Sequence, residues 1–490
     1  MSQNLSPSAA SLPTPTPALA HPWGLLLVIL TAPLLSVLDV FIVNMAIPAI
    51  RADLHATGAD LELVIAGYLL GFSAFLITGG RAGDQYGRRR LFVLGLAAFT
   101  LTSCLCGVAP SITQLIGYRF LQGVSAAAML PQTIALIQVS FTEPQARNRA
   151  FGYYGITLGL ASMLGQLLGG YLVGTDWGVA GWRLTFLVNL PIGLVAIGAA
   201  LRLLPETPRN QGQRFDVGGV VLLTTSLGAL LYPLSVGREL GWPAWSLGLL
   251  LVGAGLLGWF WQQQAALRRR GGNPLLDVGL FHYPSFNLGL GTLVFFFSVH
   301  NSFLLISTVY LQSGLGIGAR AAGTTFVFFG GGFLVASYLS IRYLARFGRR
   351  LLQFGLLLMV GSLLGQALRA PAFVASLFEL KALLLLYGLG SGSVMPSLLN
   401  VALRGLPGHL AGGAAGVYST FQQAASALGV TVIGGVFFSL WHPGQVASYV
   451  HAFRYGLGLD VACLLVAALL LGQLPTPQLE ANQATTPALD

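Results

Sequence analysis

The sequence predicts an all-α polytopic membrane protein, and composition, segment length and charge placement carry that prediction. Of 490 residues, 55% are hydrophobic and only 8% are charged, with a mean hydropathy of +0.75. Soluble domains hold about 45–50% apolar residues even when Gly is counted. Apolar runs of about 20 residues, the length a helix needs to cross a bilayer core, recur between short polar breaks along nearly the whole chain. Basic residues gather in alternate breaks, as the bias of Lys and Arg toward cytoplasmic loops requires.

Residues 1–22, MSQNLSPSAASLPTPTPALAHP, are rich in Pro, Ser and Thr and contain no Lys or Arg. They lack the basic start of a cleaved signal peptide and read as a disordered tail. Six apolar runs follow, at 23–50, 61–80, 91–110, 112–139, 150–173 and 184–204. A further pair occupies 217–236 and 245–266, and six more runs lie at 286–311, 321–343, 351–369, 380–402, 412–440 and 455–473. Residues 474–490 have nothing to bury and read as a second tail.

Fourteen spans place both tails on one side of the membrane. With the N-terminus inside, the runs Arg88–Arg90, Arg268–Arg270 and Arg349–Arg350 all fall on the cytoplasmic face. The outer breaks keep single residues such as Arg51, Arg183, Arg238 and Arg320. The expected location is the inner (cytoplasmic) membrane of the cell, with both termini cytoplasmic.

An internal echo divides the chain. QYGRRRLF at 85–92 returns as RFGRRLLQ at 346–353, 261 positions later. The expected units are a six-helix bundle at 23–204, two extra helices with a linker at 205–283, and a second six-helix bundle at 284–473. Repeated halves with a substrate site between them are a common plan for secondary transporters.

Several function classes are disfavoured. The net charge of +10 is scattered over loops instead of forming one stripe, so nucleic acid is not an expected partner. Cys104, Cys106 and Cys463 lie within apolar runs, without zinc-site spacing. No G-x-x-x-x-G-K-[ST] loop is present to cradle ATP phosphates. No cofactor or metal is expected.

The stretch GGRAGDQYGRRRLF, residues 79–92, concentrates charge in a chain that has little of it. An Asp at the end of one helix can accept from the N-terminal N–H groups of another, and Gly87 allows a tight reversal. Gly80, Asp84, Gly87, Arg88 and Arg89 resemble the helix 2–3 signature of the major facilitator superfamily, with Ala82 where Leu is preferred. LDVFIVNMAIPAI at 38–50 resembles the helix 1 signature of its fourteen-helix drug:proton antiporter branch, with Phe41 in place of Thr. YRFLQGVSAAAMLP at 118–131 resembles the R-x-x-Q-G motif of helix 4. GLASMLGQLLGGYL at 159–172 resembles the helix 5 antiporter motif, with Gln166 where Pro is usual, and the similarity continues through WRLTFLVNLPIG at 182–193.

This resemblance implies the major facilitator fold and a proton-coupled exporter of drugs or antibiotics, monomeric in the bilayer. It implies that the turn latches the two halves at the cytoplasmic face; the second copy of the turn has Ala345 where Asp84 would repeat. It also implies that Gly159, Gly165, Gln166, Gly169 and Gly170 belong to a helix that seals a leak path. Gln166 cannot kink a helix by removing an N–H as Pro does. It is expected to hydrogen-bond across the interface.

Ionisable groups at bilayer depth are costly and mark function by default. Asp39, well inside the first span, is suited to take up and release one proton per cycle. Arg119 cannot deprotonate, so it pairs with, repels or polarises a neighbour; by resemblance it tunes the proton site. His300 reads most simply as a hydrogen-bonded interior residue. Asp460 is expected near the outer end of the last span, reaching headgroups, and Glu379 and Lys381 in the interface. Asn44, Gln122, His300, Asn301 and Phe297 are candidate cavity residues, the last within an aromatic run suited to bulky organic molecules.

The sequence therefore reads as a proton-driven exporter of hydrophobic or amphipathic compounds. A dedicated exporter of a single metabolite or siderophore is the alternative. An intramembrane enzyme built on His300 lacks a second His in the same span.

Overall fold

The computed structural model describes residues 22–175, 178–206, 216–272, 274–374, 376–403, 406, 411–442 and 445–474. Among these residues 14 helices are long and apolar enough to cross a membrane. The first six are α1 (Trp23–Leu54), α2 (Gly58–Tyr86), α3 (Arg88–Gly107), α4 (Ile112–Ser140), α5 (Gln145–Val173) and α6 (Gly181–Leu203). Then come α7 (Val217–Glu239) and α8 (Ala244–Arg269). The last six are α9 (Pro284–Gly314), α10 (Ala319–Ser340), α11 (Arg349–Arg369), α12 (Phe378–Leu399), α13 (Gly413–Leu440) and α14 (Ala447–Gly472). Apart from Pro22 and Leu474, the two expected tails lie outside the described residues.

Several helices outrun the apolar stretches that announced them, because a backbone leaving the bilayer must keep its polar groups bonded until a cap is available. For α2 that cap is a reciprocal box: Asp60 N donates to Thr57 Oγ1 at 3.2 Å and Thr57 N donates to Asp60 Oδ2 at 2.9 Å. α2 then continues to Tyr86. Asp84 accordingly sits in the last turn of a helix, and the expected loop shrinks to Gly87, with φ 101°. Gly348, with φ 50°, occupies the corresponding position before α11. A side chain is strained at either place. Arg51 and Arg238, expected in outer breaks, likewise end helices α1 and α7.

The packing repeats as the echo at 85 and 346 suggests. In the first half α2 and α3 lie on α4 and α1 lies on α5; in the second, α10 and α11 lie on α12 and α9 lies on α13. The halves meet reciprocally, α5 against α10 and α13 against α2. α7 and α8 pack on each other, and α7 rests on α2.

Glycines set the closest helix crossings. A Cβ on Gly71 would stand 2.3 Å from Phe120 O and one on Gly123 2.0 Å from Tyr68 O, so α2 and α4 touch backbone to backbone. The same crossing recurs in the second half, where a Cβ on Gly332 would stand 2.5 Å from Leu385 O and one on Gly388 2.1 Å from Phe329 O. Gly123→Ala and Gly388→Ala should each destabilise the bundle by roughly 1–3 kcal/mol through overpacking. Size-exclusion profiles of detergent-solubilised protein after graded heating measure this, and an unchanged midpoint would mean that the crossing opens without cost.

The two ends of the bundle differ. At the end away from Gly87 the halves are joined: Gln312 Nε2 donates to Met45 O at 3.0 Å, and the Arg51 guanidinium lies 3.6 Å from the Trp441 ring centroid. At the Gly87 end they part around a cavity of about 700 Å³.

Candidate functional site

Two features share helix α1. Pro33, Ser36, Val37 and Val40 recur at helical spacing and line the cavity. Asp39 points away from that face, fully buried, toward α4 and α6. Its Oδ2 accepts from Arg119 Nη1 at 2.5 Å. Its Oδ1 accepts from Gln122 Nε2 at 2.8 Å and from Asn189 Nδ2 at 3.3 Å. Gln122 follows Arg119 by one helical turn, so the R-x-x-Q spacing aims both side chains at one carboxylate.

Arg119 is held on every side. Nη1 also donates to Gln122 Oε1 at 2.7 Å, and Nε donates to Val64 O of α2 at 3.1 Å. The guanidinium lies 4.5 Å from the Tyr68 ring centroid. Asn189 Nδ2 donates as well to Ser103 Oγ at 2.9 Å, and Ser103 Oγ donates to Phe186 O at 2.8 Å. A charge pair this dry persists only where most of its remaining donors and acceptors are satisfied, and here α2, α3, α4 and α6 supply the partners, with Asn189 Oδ1 left over.

Tyr68 connects this cluster to the cavity. Its hydroxyl is 2.7 Å from Ser36 Oγ, and both residues line the cavity while Arg119 sits over the ring. His300, Asn301 and Phe297 line the cavity from α9. The His300 ring is surrounded by Phe41, Phe296, Phe297 and Phe329, with centroids 6.0–6.4 Å away, and its Nδ1 is 3.3 Å from Ser391 Oγ. Asn44 and Gln122, candidates for the lining, stand elsewhere. Asn44 bonds back to Val40 O at 2.9 Å, and Gln122 is committed to Asp39. The wall is therefore uncharged over much of its length, with Phe41, Tyr68, Phe72, Tyr154 and Phe297 set among aliphatic and amide side chains, and its charged residues are Arg81, Asp84, Arg88 and Asp277.

The family model described as Major Facilitator Superfamily matches residues 29–430. The chain belongs to the major facilitator superfamily. A probable actinorhodin transporter of Streptomyces coelicolor is 38% identical to it over 435 residues, covering 88% of this chain and 75% of the relative. A puromycin resistance protein of Streptomyces alboniger is 34% identical over 509 residues, covering 98% and 97%. Among solved structures, a D-xylose–proton symporter superposes with a TM-score of 0.67 at 15% identity over 93% of this chain and 98% of that one, a likeness of fold.

The superfamily turn and the α5 motif occupy opposite ends of this major facilitator bundle. Asp84 Oδ1 accepts from Arg88 Nε at 3.1 Å and Nη2 at 3.0 Å, and Arg88 Nη1 donates to Ala135 O at 3.3 Å. Arg89 pairs with Glu206 at 2.8 Å, and Arg81 Nη2 donates to Pro274 O at 2.5 Å. Gly80 faces Pro131 of α4. Toward the joined end, α5 is wedged between the halves. A Cβ on Gly165 would meet Phe41 at 2.7 Å and one on Gly169 would meet Ile42 O at 2.9 Å, both on α1. One on Gly170 would meet Ala319 O of α10 at 2.5 Å, and one on Gly159 would sit in ordinary contact with Leu334.

Two further expectations need correction, and one buried carboxylate was not expected at all. Gln166 is fully buried, and neither amide atom has a hydrogen-bond partner among the described residues, because the glycine-mediated backbone contact with α10 leaves no facing polar group. Asp460 is not near a headgroup: it is buried midway along α14 and contacts Ser302 of α9. Glu62 falls at the edge of an apolar run and carries no signal there. Because α2 starts at Gly58, Glu62 is fully buried and pairs with Arg238 of α7 at 3.0 Å. Glu379 remains at the surface, paired with Arg369 at 2.6 Å.

Proposed function

We propose that the protein is a proton-coupled exporter of hydrophobic or amphipathic organic compounds, working by alternating access as a monomer in the inner membrane with both termini cytoplasmic. The observation that carries this reading is the division of labour on α1: one face lines a largely apolar cavity, and the other holds Asp39 in a dry cluster with Arg119, Gln122 and Asn189. A cavity of this size, largely apolar and with several aromatic rings in its wall, suits a bulky organic molecule. The charge-placement rule puts its open end in the cytoplasm.

In this conformation both Asp39 oxygens accept from N–H donors, the arrangement of an ionised carboxylate that has released its proton. A substrate entering from the cytoplasm presses on Tyr68 and Ser36, and through Tyr68 on Arg119. After reorientation a proton from outside replaces Arg119 at Asp39 and resets the cycle. Flux of cationic and neutral dyes in everted vesicles, with and without an imposed proton gradient, tests the coupling. Dye movement indifferent to the gradient overturns it.

The names of the relatives, one tied to actinorhodin and one to puromycin, favour a second reading, a dedicated exporter of one antibiotic-like metabolite. Breadth across the dye panel separates the two. Broad transport supports the first; transport of a single compound supports the second.

Asp84 is proposed to latch the halves when the cavity closes at the cytoplasmic face. Here it is held within its own half by Arg88, ready to be passed to a helix N-terminus of the other half. Asp84→Ala should remove about 1 kcal/mol or more from the outward-open state, about a fivefold shift in population. A cysteine probe beside Gly87 should label faster in that variant, with slower efflux and unchanged insertion. A chain in which these charges serve topology alone would show equal labelling and equal efflux.

A further inference from the structure

The two halves treat their buried carboxyls in opposite ways. In the first half, apart from Glu62 of α2, which Arg238 neutralises, the carboxyl stands on the first helix, Asp39 of α1, and the sixth helix answers with Asn189. In the second half it stands on the sixth helix, Asp460 of α14, and the first helix answers with Ser302 of α9, 3.0 Å from Asp460 Oδ1. The repeat has exchanged donor and acceptor between the same pair of helices.

The hydrogen-bond count then separates them. Asp39 is surrounded by N–H groups that can only donate to it. Ser302 has one hydroxyl proton, and two backbone carbonyls of its own helix compete for it: Ser298 O at 2.7 Å and Val299 O at 3.0 Å. Three acceptors share that one proton, so Ser302 gives Asp460 Oδ1 only a contested hydrogen bond, and whenever the proton turns into α9 the contact is a hydrogen bond only if Asp460 brings the proton. Asp460 Oδ2 has no partner among the described residues, and no ion pair reaches this carboxyl there. An ionised carboxylate buried without a counter-charge or full hydrogen bonding is costly; a neutral acid donating to Ser302 is not.

We propose that Asp460 is a second proton-binding carboxyl, in the C-terminal half, protonated in the conformation in which Asp39 is ionised. It loads from the outer side, still holds its proton in this conformation and gives it to the cytoplasm as substrate binds, so that both carboxyls move a proton inward in one cycle; this rests on the antiport reading above. The surrounding groups fit a proton better than a metal cation. α12 supplies the Tyr387 hydroxyl, itself unpartnered, and α14 supplies Cys463, both within electrostatic reach. α9 supplies His300, which faces the cavity and Ser391. α13 contains no charged residue, and α11 carries arginines only at its ends. Asn301, adjacent to Ser302 in α9, lines the cavity.

Infrared difference spectra of purified protein between neutral and alkaline pH read the proton directly. Wild type should show a protonated-carboxyl component that persists in Asp39→Asn and in Glu62→Gln, shifts in Asp460→Glu and is lost in Asp460→Asn. Absence of the band, or a band unmoved by both changes at Asp460, overturns the proposal. In proteoliposomes, the proton gradient that just balances an ethidium gradient gives the coupling ratio. The ratio should fall by one proton per ethidium in Asp460→Asn and recover in Asp460→Glu. A wild type indifferent to the gradient overturns the antiport reading and with it the turnover of this proton. A coupled wild type whose ratio is unchanged in Asp460→Asn overturns the proposal alone.

Discussion

Asp39→Asn should abolish proton-coupled efflux in a protein that still folds and inserts. Asparagine matches the shape of aspartate but carries no titrating oxygen, so the donors around position 39 keep one acceptor and lose the proton site. Arg119 then lacks its counter-charge in a dry site. It retains Val64 O, Gln122 Oε1 and the face of Tyr68, and these hold the cation in place at some cost in stability. The direct measurement is proton release when substrate is added to purified protein at low buffering. Wild type should release protons as substrate draws the outward-open population, in which Asp39 is protonated, to the ionised form, and Asp39→Asn should lose that share of the release; equal release from both removes Asp39 from the coupling mechanism. Downhill dye exchange in the same variant should survive, because the cavity face of α1 is untouched.

How much of this is legible in the chain follows from what burial costs. Asp39 and Arg119 announce themselves because a formal charge deep in an apolar run is expensive and needs a reason. Asn189 does not, although it reaches the same carboxylate. A lone amide in WRLTFLVNLPIG carries no comparable penalty, and its partner is 150 residues away. Glu62 is hidden for a different reason, since it stands second in the run at 61–80, where a charge carries no signal, whereas the helix begins at Gly58 behind its cap Thr57 and carries Glu62 inward. Asp460 is misplaced by the same logic. Apolar runs locate a helix along the chain but fix neither its ends nor its depth, so a residue six positions inside a run at 455–473 stands at the middle of a helix that begins at Val446. The repeated halves are legible from a single turn because Gly87 and Gly348 do the same backbone work; the crossings at Gly123 and Gly388 are not, since nothing in one sequence says which small residue meets a carbonyl.

Arg119 should prove the costlier of the pair to remove. Arg119→Ala leaves Asp39 as an uncompensated buried charge, and breaking such a pair typically costs roughly 3–5 kcal/mol. A clear drop in thermal stability and loss of transport are expected together. Arg119→Lys keeps the charge, yet one ammonium cannot serve Asp39 Oδ2, Gln122 Oε1 and Val64 O at once while lying flat over Tyr68. It should therefore fold better than the alanine variant and still transport poorly, with an altered pH profile. The decisive comparison is the double variant Asp39→Asn with Arg119→Gln, which removes both charges from the dry cluster. Neutralising a buried pair often restores or raises stability even where removing one partner lowers it, so the double variant should melt above Arg119→Ala while remaining uncoupled from the proton gradient. Stability and coupling then part company, which a merely structural ion pair cannot produce. If Arg119→Ala and Arg119→Lys both transport at the wild-type rate with the wild-type pH profile, the guanidinium holds helices together and does nothing to the proton.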